Sequence, residues 1–344
     1  MIRAGSLLFI AVLLIALESP AHGELYMNSA RIECVQQAYK YLFNDRFAEV
    51  DSIYAIWIKE NPEDPLGYAF RAGALFAEMS DREENLHEEQ FLSFLDSTKI
   101  LSTQIIDTCD ATTAAWMYLF LGHAKAYRSL WESRFGSLMT ALRQGLSTID
   151  KYEAGLAADP SLYDLYAGCG SYHYWKSAKA GVLKWVGIFN DEKDKGIAEL
   201  YLAADSSLVH QEVALSALIW VWLDRREYDS AAALAELFIE RYPEGKTFRW
   251  PLAQILFRQG KYEQAAAVYG EIRALLQSSP GNYYNLIQCD YYVAQCYSWS
   301  EQSTRAIEIA RGIKHYEEFI PDAIVRRQSA KLNYLGRLAK RRNQ

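Results

Sequence analysis

The sequence lacks the spacings that hold metals or staple small folds. Its six histidines and five cysteines form no His-x-x-x-His pair and no Cys-x-x-Cys, so neither a helical zinc-hydrolase pair nor a zinc knuckle is present. No metal and no cofactor is expected. The cysteines, Cys34, Cys109, Cys169, Cys289 and Cys296, are odd in number and scattered, which is not a disulfide framework. Cys289 and Cys296 fall on one helix face about 10 Å apart, too far to bridge each other. Eight prolines and 19 glycines are few for 344 residues. No period-two alternation of useful length occurs, which excludes a sheet-based fold, and no low-complexity linker divides the chain. Beyond the N-terminus no run approaches the roughly 20 apolar residues of a bilayer-spanning helix. Cations are outnumbered, 36 Lys and Arg against 43 acids for a net charge of −7, which excludes a general nucleic-acid binder.

What is present begins with a leader. Arg3 precedes the apolar run from position 7 to 17, which Glu18, Ser19 and Pro20 end. Eleven apolar residues are too short to span a membrane, and Ala21-His22-Gly23 offers small residues for cleavage, so residues 1–23 read as a signal peptide. The mature chain is then expected in the periplasm, in a secretory lumen or outside the cell. An uncleaved N-terminal anchor is the alternative.

The remainder, with 51% hydrophobic and 23% charged residues, is large enough to bury a core without staples. Its apolar residues recur at three- and four-residue spacing, the helical period. Two segments repeat each other. Leu215, Leu218, Ile219 and Trp222 line one helix face, then Tyr228, Ala231, Ala235 and Phe238 the next, closed by Pro243. Leu252, Ala253 and Leu256 are followed by Gly260, Tyr262, Ala265, Tyr269 and Ile272. Tyr228 and Tyr262 are 34 residues apart, as are Ala231 and Ala265. A small residue sits where the two helices of a pair cross, and large ones where the pair meets its neighbour.

By residue and by period these segments resemble the tetratricopeptide-repeat superfamily. The resemblance implies an all-α fold: an α-solenoid of about seven antiparallel helix pairs with a C-terminal capping helix, in one domain over residues 24–344. Regular repeats are expected at 31–62, 212–243, 246–278 and 282–315, irregular long-helix pairs over 65–205, and the cap at 323–342. Within 65–205 the second helix of the third pair is read as continuous over 138–158. Asp64-Pro65, Asp159-Pro160 and Asn282 supply helix starts at these boundaries. Over about 180–275, the apolar insertion Leu183-Lys184-Trp185-Val186-Gly187-Ile188-Phe189-Asn190 before a repeat helix is similar to the tetratricopeptide repeat protein 39 and inclusion-body clearance family. That family is largely intracellular, and only its helical architecture is implied here.

In such a superhelix the first helix of each pair lines the concave face. Phase counting places Trp220, Leu223, Trp250, Gln254, Phe257, Arg258, Tyr291, Tyr292, Gln295 and Trp299 on that face. Aromatic faces with interspersed amides fit a protein or peptide partner or another extended ligand. No catalytic residues are expected, because no titratable groups cluster at recognisable spacing. Gly168, Gly170 and the tyrosines 163, 166, 172 and 174 read as packing residues rather than a phosphate loop or a cofactor box. His87 with Glu83, Glu84, Glu88 and Glu89 reads as a solvated acidic linker. Arg326, Arg327, Lys331, Arg337, Lys340, Arg341 and Arg342 make the last segment basic, either as cations complementing a helix C-terminus or as a peripheral membrane contact. The functional expectation is an exported, non-enzymatic scaffold or adaptor of envelope assembly or transport. A membrane-tethered assembly factor is the alternative, and oligomeric state stays open.

Overall fold

The computed structural model describes residues 26–179, 190–278 and 281–341. The expected leader, most of the apolar insertion and Arg342 lie outside them. The described residues are helical with no strand, and seven helix pairs follow in chain order. They are α1 (Ser29–Leu42) with α2 (Phe47–Glu60), and α3 (Pro65–Arg82) with α4 (Glu88–Ile106). Next, α5 (Ala111–Phe135) pairs with α6 (Leu138–Leu146) and α7 (Thr148–Ala158), and α8 (Asp164–Lys179) with α9 (Lys193–Ser206). The last three are α10 (Gln211–Arg225) with α11 (Tyr228–Arg241), α12 (Arg249–Arg258) with α13 (Tyr262–Ser278), and α14 (Tyr283–Trp299) with α15 (Ser303–Gly312). The cap is α16 (Asp322–Arg327) and α17 (Ser329–Ala339).

Local chemistry sets the ends. The side chains of Asn28, Asp64, Asp110 and Asn282 each accept a hydrogen bond from a backbone N–H of the first helical turn, and Pro65 occupies a position where no donor is needed. Glu83 and Arg226 close α3 and α10 in the left-handed conformation at φ 56° and 63°. Gly260, at φ 75°, turns α12 into α13.

Two expected helices are broken. Residues 138–158 divide at Ser147, whose hydroxyl donates to the Gln144 carbonyl (3.0 Å) and accepts from Lys125 Nζ (3.0 Å). Thr148 donates to the same carbonyl, so the local side-chain bonds compete with the helical ladder and end it. The cap divides at Gln328, almost wholly buried, whose amide donates to the Tyr284 carbonyl (3.2 Å).

Each pair packs on the next, and the first helices also touch in series, α3 on α5, α5 on α8, α8 on α10 and α10 on α12. The array then turns back on itself, with α3 against α14. The turn after α1 meets the turn before α12: Asp45 accepts from the Lys246 backbone N–H (2.6 Å), from Lys246 Nζ (2.8 Å) and from Thr247 (3.2 Å). Gly245 lies so close that a Cβ there would stand 2.0 Å from the Phe43 carbonyl oxygen. Asp81 joins this seam, 3.5 Å from Lys246 Nζ and 3.1 Å from the Asn282 amide. Glu83, in the acidic linker, bridges Arg134 of α5 and Arg327 of the cap. One core cluster therefore runs from Met27 through Tyr54, Trp116 and Phe120 to Ile255. Each large side chain so buried contributes about 1.5–3 kcal/mol.

Candidate functional site

The aromatic face is built from the spacing of two helices. On α12, Trp250, Gln254 and Phe257 recur at helical spacing, and on α14 Tyr291, Gln295 and Trp299 do the same. Phe257 meets Tyr292 at 5.5 Å, Trp299 at 5.1 Å and Tyr262 at 5.8 Å between ring centroids. Tyr292 stacks on Tyr269 at 5.0 Å and meets Tyr291 edge-on at 5.2 Å. Trp250 touches Tyr269 at 6.1 Å. Gln295 donates to the Tyr291 hydroxyl (3.2 Å), and Arg258 reaches the Leu223 carbonyl (3.4 Å). The result is one connected chain of rings across α12, α13 and α14, ending at Trp299, which is 50% exposed.

Eight of the ten expected residues, from Trp250 to Trp299, thus lie on these helices. Trp220 and Leu223 belong elsewhere. Leu223, only 2% exposed, is part of the core cluster that runs on into α1–α3, and the partly buried Trp220 packs against that cluster. Leu223 is therefore a core residue with no free face for a ligand. Sequence reasoning also missed Tyr334 of α17, whose ring meets Tyr291 at 5.1 Å. It lies on the cap helix, which phase counting on the first helices of the pairs does not reach.

The electrostatics of the face are those of neutral rings. Burial raises the hydroxyl pKa of Tyr269 and Tyr292 above the ordinary tyrosine value. The face offers contact area and hydrogen-bond donors.

A buried titratable cluster of Asp164, His210 and His123 serves packing. Asp164, at the start of α8, accepts the backbone N–H groups of Leu208, Val209 and His210 at 2.8–3.0 Å, and the His210 Nδ1–H at 2.8 Å. Burial opposes its charge, but the His210 ring and these amides outweigh it and hold its pKa below the ordinary carboxylate value. The His210 ring stands 5.1 Å from that of His123, whose pKa burial pushes down to about 3. Phe70 and Tyr39 pack on the same ring. The arrangement satisfies from α8 the backbone donors of the turn leading into α10 and ties the two helices together.

The remaining sequence candidates are also placed. Gly170 and Gly196 sit where α8 crosses α9, each with a would-be Cβ 2.6 Å from the other's carbonyl oxygen. His87 pairs with Glu78 at 3.2 Å, and no three His, Cys, Asp or Glu side chains converge to hold a metal among the described residues. The five cysteines are free. In the cap, Arg327 covers Tyr284 and pairs with Glu83 of the acidic linker, while Lys331 bonds Gln328 within the cap, so one of the expected basic residues closes the ring.

Seven helix pairs packed in series, with 34-residue spacing between equivalent positions of α11 and α13, make this protein an α-solenoid resembling tetratricopeptide-repeat proteins. Among solved structures it is similar to a tetratricopeptide repeat protein from Parabacteroides merdae, at 12% identity and TM-score 0.39, over 91% of this chain and all of that one. It is also similar to the tetratricopeptide-repeat domain of P58(IPK), at 14% identity and TM-score 0.21, over 90% of this chain and 89% of that domain. No family model matches the chain, and no curated protein matches it.

Proposed function

We propose that the protein is an exported, non-enzymatic scaffold that holds an extended polypeptide on the aromatic face of α12–α14. The observation that carries this reading is the connected ring chain ending at the half-exposed Trp299, with Gln254 and the exposed Arg258 beside it. Exposed aromatic anchors give large contact area at low entropic cost, and amides and a guanidinium at the rim bond a peptide backbone. Export rests on the leader at residues 1–23, and N-terminal sequencing of the mature chain should find a start near Glu24.

Trp299 is the residue to replace, since Trp250 and Phe257 are half-buried and their loss would disturb packing as well. Affinity capture from the native envelope fraction with wild type and Trp299→Ala, run in parallel, tests the reading. The expected result is a partner retained by wild type and reduced at least about tenfold by the variant, at unchanged helicity, since a hot-spot tryptophan contributes about 2 kcal/mol or more. An identical set of partners at identical yield from both proteins overturns it.

A further inference from the structure

The helix α6 is amphipathic in the wrong sense for a packed solenoid. It presents its small residues inward, with Ala141 buried and its carbonyl accepting from Ser129 (2.8 Å), and Gly145 against the same Ser129. Its large apolar residues point outward: Leu138 and Met139 are each 76% exposed, Leu142 is 56% and Leu146 is 44%. Single exposed leucines are ordinary, but these four in the nine residues of α6 share one side of the helix and form a ridge.

Beside the ridge lies a cavity of about 440 Å³ between α4, α5, α6 and α7. Lys99, Lys125, Arg128, Arg143 and Lys151 line it, against one lining carboxylate, Asp96. Among the described residues only Arg128 of these cations makes an ion pair, with Glu132. Lys125 is lodged against Ser147, and burial followed by its neighbours Lys151 and Lys99 lowers its pKa. In a chain of net charge −7, this concentration of unpaired cations next to an apolar ridge is local and directional.

We infer that α6 docks the protein on the anionic surface of a phospholipid bilayer, with Leu138, Met139, Leu142 and Leu146 entering the acyl boundary and Lys99, Arg143 and Lys151 meeting headgroup phosphates. A helix lying in the interface needs this pairing of a long aliphatic face with flanking cations. The occupant is identified by shape and charge. The ridge side chains stand out, 44–76% exposed, whereas an apolar partner helix is received in a groove. A second copy seated on the same face would bring two sets of these cations, Arg143 and Lys151 among them, to one interface, like charge near like. A bilayer of anionic lipid complements both features.

Vesicle flotation of the full chain tests this, using phosphatidylcholine vesicles with and without about 30% phosphatidylglycerol. Binding is expected only to the anionic vesicles and should weaken as salt is raised. Leu138→Ser/Leu142→Ser and, separately, Lys99→Glu/Arg143→Glu/Lys151→Glu should each reduce it at least about tenfold, with circular dichroism and melting unchanged because the replaced side chains are exposed or line an open cavity. The inference fails if wild type ignores anionic vesicles. It fails equally if both variants bind like wild type, which would place attachment at the leader or the cap helix. Sedimentation showing a dimer that the serine variant dissociates, without vesicle binding, would assign the ridge to a second copy and overturn it too.

Discussion

The regular pairs α10–α15 and the middle pairs α5–α9 solve the same packing problem with different residues. In α11, α13 and α15 the inward crossing positions are alanines, Ala231, Ala265 and Ala306, all fully buried. In the middle the crossings are glycines. Gly122 and Gly168 clasp the Tyr152 ring from two sides, Gly155 abuts Leu165, and Gly170 faces Gly196 backbone to backbone. An alanine crossing tolerates adjustment by a neighbouring side chain. A glycine crossing brings main chains together, so it permits longer helices to pack but fixes their position. The middle also leaves a row of apolar side chains outside, on α6, where the regular pairs expose single ones, Leu237 and Trp299. The comparison separates a part of the solenoid that is built by repetition from a part whose geometry is individual.

The sharpest way to break this comparison is at Gly196. A Cβ there would stand 2.6 Å from the Gly170 carbonyl oxygen and 2.7 Å from the Tyr174 backbone nitrogen, and neither atom can rotate aside. Gly196→Val should therefore destabilise the fold by about 3 kcal/mol or more, read as a lowered urea midpoint. Gly→Ala at Gly336, whose Cβ would meet nothing within 4 Å, is the control and should be neutral or slightly stabilising.

The same contrast explains what the sequence could tell. The regular pairs are legible because Tyr228, Ala231, Tyr262 and Ala265 repeat a spacing that helix crossing requires. Seven pairs and a cap are what the described residues form. The α6–α7 break was not legible, since Ser147 and Thr148 end the helix through bonds to one carbonyl that any serine in a helix could have left unmade. Leu223 was placed on a ligand face because phase counting gives the direction of a side chain on its own helix and not what another part of the chain brings against it. The seam was invisible for the same reason: Asp45 and Lys246 are 201 residues apart in sequence, and no local pattern connects them. The α6 ridge, by contrast, lay in plain view as Leu138, Met139, Leu142 and Leu146, and was absorbed into a long second helix.

The seam gives the second test. Lys246 is buried between Asp45 and Asp81, and although burial works against its charge, the two carboxylates outweigh it and raise its pKa. Lys246→Met would leave two mostly buried carboxylates facing each other without a cation, at a cost of about 3 kcal/mol. If the closure at this seam is what holds α1–α3 against α12–α14, the variant should also show a larger radius of gyration by small-angle scattering. A variant as stable and as compact as wild type would mean that Gly245 and the aromatic contacts of Phe43 with Tyr242 and Phe248 close the ring by themselves.

The smallest effect is a pH dependence from Asp81. Burial, together with the nearby Asp45, raises its pKa to about 6 against the lowering influence of Lys246 and Asn282. The folded state then holds a proton that the unfolded chain has released between roughly pH 4 and pH 6, so this group makes stability fall as pH rises through that window, by at most about 1.4 kcal/mol per pH unit. The direction is opposite to that of Asp110 and Asp159, whose hydrogen bonds lower their pKa values and whose contributions are lost only as pH falls below the ordinary carboxylate range. Asp81→Asn keeps the shape but cannot titrate. Urea denaturation of both proteins at pH 4.5, 5.5 and 6.5 should show the variant gaining on wild type as pH rises, and a constant difference would locate the seam's charge balance in Asp45 and Lys246 alone. A positive result would mark the Asp81 seam as an element that holds better in acid and weakens as pH rises, in the same direction as the buried Asp290 of α14, whose pKa burial also raises.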